Sequence, residues 1–252
     1  MDRQRRPTGS LEDNELLAAL PAADRDQLRP DLEFVPLEYR KVLHEPEQSI
    51  PYVYFPIDGV VSLVAMMANG VSVEVGMTGR QGMVGVSAIL GGGRSPHSAF
   101  VQVPGAAFRM DASLARSAFD RSAAFRLLFH GYVALTLRRI SQSAACNRVH
   151  LLEQRCARWL LTTRDFVGRD EFPMTHEFLS LMLGVRRAGV SLAAEALHES
   201  GLIDYRHGRM RIVDPTALEG ASCECYRTLK DDADRLFARW RASMAATTPG
   251  TC

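Results

Sequence analysis

Residues 171–214 read EFPMTHEFLSLMLGVRRAGVSLAAEALHESGLIDYRHGRMRIVD, and the order of their capping, apolar and turn residues decides the architecture. Thr175 is placed to cap a helix. Glu177 stands in its first turn, where the helix dipole favours an acid, and Leu179, Met182 and Leu183 follow at helical spacing. Gly184 supplies a turn. A second helix opens around Arg186, with Val190, Ala193, Ala194 and Leu197 facing inward and Arg187, Ser191 and Glu195 on the opposite face. Two short helices joined by a glycine turn make a helix-turn-helix. Beyond Ser200-Gly201 come a strand at 202–205, a turn at 206–209 and a strand at 210–213, a hairpin wing beside the second helix.

Composition limits what surrounds this motif. With 252 residues, 46% hydrophobic and 23% charged, the chain has room for two small domains. A net charge of +1 makes no global case for nucleic acid, and within 171–214 five arginines face six acids, so DNA affinity must come from where the arginines stand. No apolar run reaches the roughly 18 residues that span a bilayer, and MDRQRRPTGS lacks the apolar core of a signal peptide. The expected location is the cytoplasm, with no membrane partner. Five cysteines, an odd number and all from Cys146 onward, do not form a secreted disulfide framework.

The first 30 residues read as a polar tail, 1–10, and short helical pieces broken by Pro21. From 32 to 110 the texture is β: apolar runs at 42–43, 52–55, 60–64, 71–75, 99–103 and 107–110 are separated by Asp58-Gly59, Asn69-Gly70, Thr78-Gly79, Gly91-Gly92-Gly93 and Pro104-Gly105. Many short strands with frequent turns imply a sandwich or roll. From 122 to 145 there is no proline and one glycine, which predicts a long helix. On it Phe125, Leu128, Tyr132, Leu135 and Arg139 alternate at three and four residues, a coiled-coil-like stripe, while Leu127, Ala134 and Leu137 form a second apolar strip. Either the stripe is a dimer seam, the favoured reading, or it packs against the chain's own roll.

Other features have plain readings. Gly91-Gly92-Gly93 lacks a following Gly-Lys-Ser/Thr and is a loop, not a triphosphate cradle. Cys223-Glu224-Cys225 has no second pair at zinc-finger spacing, and residues two apart in a helix do not share a face, so no metal and no cofactor is expected. Cys146 is read as a buried helical cysteine rather than a redox sensor. No catalytic constellation stands out, and no enzyme is expected.

In this order the residues resemble the Crp/Fnr family of bacterial transcription regulators. Leu183-Gly184, Arg186-Arg187 and Gly201-Leu202-Ile203 match its helix-turn-helix and wing, while YVYFPIDGVVSLV and GRQGMVGVSAIL resemble its cyclic-nucleotide-binding β-roll. The resemblance implies an α+β chain: an N-terminal tail and short helices (1–30), an antiparallel β-roll of the double-stranded β-helix type (31–118), a dimerisation helix (119–146), a hinge at Asn147-Arg148 and a C-terminal winged helix-turn-helix with a last helix (147–252). It implies a homodimer on a palindromic operator in double-stranded DNA, with room for RNA polymerase and an unknown small-molecule effector as further partners. Arg186, Arg187, Ser191 and Glu195 would face base edges, and Arg206, His207, Arg209 and Arg211 would reach phosphates. The family's acid after the first recognition arginine is Ala188 here, and its second arginine is Leu192.

The nucleotide pocket looks degenerate. Alignment on Gly82 and Gly85 puts Val86 where the family holds the ribose with a glutamate, and alignment on Ser98 puts His97 where an arginine holds the phosphate. Each lost charge-assisted hydrogen bond is worth about 1.5–3 kcal/mol. Cyclic AMP is therefore not expected to control the protein. Two competing readings remain: a regulator that uses Arg94 for the cyclic phosphate, and an effector-binding or protein-interaction module whose winged domain no longer reads DNA.

Overall fold

A computed structural model describes residues 9–68, 70 and 72–246; the expected tail residues 1–8, Asn69 of one turn, Val71 of one strand and Cys252 lie outside them. The chain enters through a 3-10 turn at Leu11–Asp13, then α1 (Glu15–Ala18) and α2 (Ala22–Leu28), which has Pro21 at its N-cap. Buried Asn14 caps α1 and donates to the carbonyls of Pro56 at 2.8 Å and Gly82 at 2.9 Å, pinning this segment to the sheet.

The antiparallel sheet contains β1 (Glu33–Leu37), β2 (Val42–His44), β3 (Tyr52–Met66), β4 (Ser72–Thr78) and, after the short α3 (Val86–Ile89), β5 (Ser98–Asp111). Its order is β1-β5-β3-β4, with β2 also on β5. Turn signals at Asp58-Gly59 and Pro104-Gly105 suggest four separate strands, but β3 and β5 run through them for 15 and 14 residues. The two signals face each other across the ladder and make one shared bend. Asp58 accepts the Ala106 N–H at 2.6 Å, and the register shifts repeatedly between Pro56 and Val61. A Cβ on Gly59 would meet the Val103 carbonyl oxygen at 2.7 Å, and one on Gly105 the Asp58 carbonyl oxygen at 2.6 Å, so the bend closes only around glycines. Leu37, Leu43, Tyr54, Val61, Val84 and Val101 fill the roll.

After α4 (Ala112–Arg121) comes α5 (Ala123–Val149), 27 residues long, which ends at His150. The break therefore follows Asn147-Arg148 instead of falling on them, because neither residue interrupts helical hydrogen bonding. The stripe expected at a dimer seam is covered within the chain: Phe125, Leu128, Tyr132 and Leu135 are buried among the roll, α4 and the N-terminal segment, and Arg139 bonds Gln81 at 2.9 Å. Sequence spacing marks an apolar face without saying what covers it, and here the chain covers it itself. Leu127 and Leu137, on the second strip, are 56% and 61% exposed.

The remaining elements are α6 (Leu152–Val167), β6 (Glu171–Pro173), α7 (His176–Leu183), α8 (Arg187–Glu199), β7 (Ile203–Arg206), β8 (Arg209–Ile212), α9 (Pro215–Ala221) and α10 (Cys225–Ala246). Instead of staying with the winged domain, α10 returns along α5, where Phe237 and Trp240 join the core; a Cβ on Gly131 would fall 2.1 Å from the Trp240 ring. Among the described residues no helix is long and apolar enough to cross a membrane.

The two halves share a core. Val60, Val64 and Val103 of the sheet pack with Trp159, Met182 and Leu183, and Phe100 meets Phe178 edge to face at 6.0 Å between centroids. At this seam the Trp159 indole N–H donates to Glu74 at 2.9 Å, and the Ser62 hydroxyl donates to the same carboxyl group at 2.8 Å. The residue is only half-buried, yet its carboxyl is enclosed, and burial pushes its pKa up to about 7 from 4.5 against those two bonds and nearby Arg158. The folded state thus holds this proton to higher pH than the unfolded chain. Its stabilising effect is full below pH 4.5 and is lost as pH rises to about 7.

Urea unfolding across that range should show wild-type stability falling by up to about 3 kcal/mol and Glu74→Gln falling less; parallel profiles would contradict this account of the seam. Leu128→Ala, on the covered face of α5, should cost about 2–5 kcal/mol in the same assay, and a loss below 1 kcal/mol would show that the face is not packed as described.

Candidate nucleic-acid interface

Local sequence explains the helix-turn-helix closely. Thr175 accepts the Phe178 N–H at 3.1 Å as N-cap of α7, and Gly184 closes that helix at φ 64°, a left-handed conformation that favours glycine. Arg186 is the N-cap residue of α8, and Arg187 opens the helix. Val190, Ala193, Ala194 and Leu197 are buried as expected, and α8 packs on α6 and α7. This leaves Arg186, Arg187, Ala188, Leu192 and Glu195 exposed, with Ser191 half-buried.

Ser191 is held from below. Its hydroxyl lies 3.2 Å from Nδ1 of His176, whose ring stacks on Tyr205 of the wing at 4.5 Å. Burial and the neighbouring Arg187 both lower the His176 pKa. The imidazole therefore favours its neutral form between α8 and the wing. Leu192, 68% exposed in the middle of the outward face, is a large apolar side chain that the described residues leave largely uncovered. Its sequence position shows only that the family's arginine is missing.

In the wing, His207 and Gly208 have φ of 51° and 76°, the paired positive values of a tight two-residue hairpin. An additional strand, β6, pairs with β8, so the wing sheet has the order β6-β8-β7. That register sets Arg211 between Glu171 and Asp204 on its two neighbours. Arg209 forms an ion pair with Glu171, and Arg206 pairs with Asp204 at 3.2 Å. Arg206, His207, Arg209 and Arg211 are all exposed, but acids offset much of their charge. Among the described residues no ion pair engages Arg186 or Arg187, so unneutralised positive charge concentrates at the start of α8.

The residues expected to line a degenerate nucleotide pocket have different neighbours. Gly82 packs against Tyr132, whose hydroxyl donates to the Met83 carbonyl at 3.0 Å, and a Cβ on Gly82 would sit 2.3 Å from that hydroxyl. Gly85, at φ 93°, precedes α3, and Val86 packs on the core beneath α5. Arg94 is exposed and donates to the Glu47 carbonyl at 3.1 Å. His97 is half-buried near His44, and burial lowers the pKa of both rings. Ser98 bonds the Val64 carbonyl at 3.4 Å.

At the end of α5, Cys146, His150, Cys223 and Cys225 bring potential ligand atoms within 4.8 Å of one another. Cys223 precedes α10 and Cys225 opens it, so the helical geometry that separates residues two apart does not apply.

Residues 154–221 match the Crp-like helix-turn-helix domain. No curated protein matches the chain. Solved structures similar in fold include a Crp-family transcriptional regulator from Thermus thermophilus, at TM-score 0.63 and 19% identity over 76% of this chain and 99% of that one. FixK2 from Bradyrhizobium japonicum aligns at TM-score 0.63 and 13% identity over 76% of this chain and 98% of its own. The c-di-GMP responsive global regulator CLP from Xanthomonas campestris aligns at 0.61 and 13%, over 77% and 99%. The chain thus carries a Crp-like helix-turn-helix domain on the fold shared by Crp/Fnr-type transcription regulators.

Proposed function

We propose that the protein is a sequence-specific DNA-binding transcription regulator that meets a palindromic operator as a homodimer and is not controlled by cyclic AMP. The observation that carries this reading is the outward face of α8, where Arg186 and Arg187 stand exposed and, among the described residues, without an ion-pair partner. The N-terminal end of a recognition helix enters the major groove, and two such helices in a dimer read half-sites about 34 Å apart. Arg187 bridges guanine O6 and N7, worth about 1–3 kcal/mol against a wrong base. Leu192 adds an apolar contact of the kind that fits a thymine methyl. Arg211 and His207 position the wing on phosphate, joined by Arg206 and Arg209 where DNA displaces their acidic partners.

The exposed strip of Leu127, Ala134 and Leu137 is the proposed dimer seam, since the neighbouring stripe is already covered. Independence from cyclic AMP is supported by Val86 and His97 at the ligand positions and by Arg94, which is engaged with a backbone carbonyl. An effector of another kind and RNA polymerase remain compatible partners.

Titration of operator variants at two salt concentrations tests the reading role. Arg187→Ala should relax preference at one base pair per half-site, whereas Arg211→Ala should weaken all sequences alike and lower the salt slope by about one. Uniform weakening by Arg187→Ala would move specificity to Arg186, Ser191 or Glu195. Light scattering should give twice the 27.9 kDa chain mass for the wild type and the single mass for Leu127→Lys combined with Leu137→Lys; a dimer unaffected by that change places the seam elsewhere. Calorimetry should detect no micromolar binding of cyclic AMP or cyclic GMP, and such binding would restore the nucleotide-sensor reading.

A further inference from the structure

Cys146 lies in the last turn of α5, and His150 caps that helix four residues on, so their side chains lie on one face. Cys223 and Cys225 approach from the α9–α10 connection. The three cysteines are buried and form a small cluster of their own. Cys146 Sγ is 3.5 Å from Cys223 Sγ, and Cys225 Sγ is 3.7 Å from His150 Nδ1. Around one zinc ion, with thiolates at about 2.3 Å and an imidazole nitrogen at about 2.0–2.1 Å, tetrahedral ligands stand about 3.5–3.8 Å apart. Those two distances match a single ion, and all four potential ligand atoms lie within 4.8 Å of one another, close enough to converge on it. An iron–sulfur cluster would set the cysteines on different irons and spread the sulfurs wider.

The surroundings fit the same chemistry. With Nδ1 of His150 turned to the cysteines, its Nε2 lies 3.1 Å from the Glu224 carboxylate, the outer partner that fixes tautomer and orientation in a metal-bound histidine. Gln142 donates to Cys225 Sγ at 3.1 Å. Three thiolates, a neutral imidazole and a divalent ion sum to one negative charge, and the guanidinium groups of Arg155 and Arg158, both on buried residues, act on Cys146 from the α6 side.

We infer that Cys146, His150, Cys223 and Cys225 form a Cys3His site for one thiophilic divalent cation of the zinc class, which ties the end of α5 to the start of α10. The tie lies beside the hinge. There Arg155 donates to Asn147 Oδ1 at 3.1 Å and to the Leu183 carbonyl at 2.7 Å, next to the turn of the helix-turn-helix. Loss of the ion would free the path by which α5 holds the recognition unit. That consequence for operator binding rests on the function proposed above; the metal site does not.

The test is elemental analysis of the full chain purified without chelators, with cobalt substitution as the spectroscopic readout. The expected result is one zinc per chain and, with cobalt, intense tetrahedral bands accompanied by thiolate charge transfer. Cys223→Ser and Cys225→Ser should each lose the metal. Glu224→Gln, which leaves all four ligands in place, should weaken metal affinity by about 10- to 100-fold, an effect that simple packing of the cysteines would not give. Failure to take up zinc after anaerobic reconstitution overturns the proposal. So does iron accompanied by acid-labile sulfide, or a Cys146–Cys223 disulfide mapped without reductant. Because metal content is read without DNA, a chain that binds zinc and ignores every operator would overturn only the function.

Discussion

Trp159 donating its indole N–H to Glu74 is the polar contact on which the arrangement of the two halves turns. Around it an apolar core runs unbroken from Val60, Val64 and Val103 of the roll to Trp159, Met182 and Leu183. A carboxyl enclosed at such a place is costly unless it is hydrogen-bonded or neutral, and Glu74 is bonded twice. With α6 and α7 fixed against the sheet in this way, α8 has its apolar residues spent inward and its arginines left outward. The chemistry available to the outward face of α8 follows from how its back is held.

The helix-turn-helix was legible because each of its decisions is local. A threonine cap, a glycine that must take positive φ and a 3.6-residue apolar period are all contained within 25 residues or so, and α7, Gly184 and α8 fall where residues 175–199 place them. The roll was legible only in outline. Asp58-Gly59 and Pro104-Gly105 carry the residues of a turn, and nothing in either segment tells that the two will face one another and share a bend. The stripe on α5 shows the same limit: Leu128 and Leu127 are adjacent leucines of one helix, yet one is fully covered and the other is 56% exposed, because the cluster that covers Leu128 is drawn from distant segments: the N-terminal residues, the roll and α10. At the hinge, Cys146 and His150 at helical i, i+4 spacing were a readable signal. Their meeting with Cys223 and Cys225 needed the course of α9 and α10.

The candidate DNA-binding face shows charge placed rather than accumulated. The wing pairs Arg206 with Asp204 and Arg209 with Glu171, which reduces nonspecific attraction there, and Arg186 and Arg187 place unpaired charge, among the described residues, at the start of α8. A protein with net charge of only +1 has little sequence-independent affinity to draw on. Recognition in the proposed function therefore depends on base-edge contacts and on presenting two copies of α8 at a fixed separation, which gives the exposed strip of α5 and the hinge beside it their importance.

Selection of bound duplexes from random DNA by the full-length chain tests this account most directly. The account expects enrichment of one motif with two inverted half-sites, centred about one helical turn apart and each carrying a guanine for Arg187. No enriched sequence, or a single half-site without its inverted mate, would contradict it.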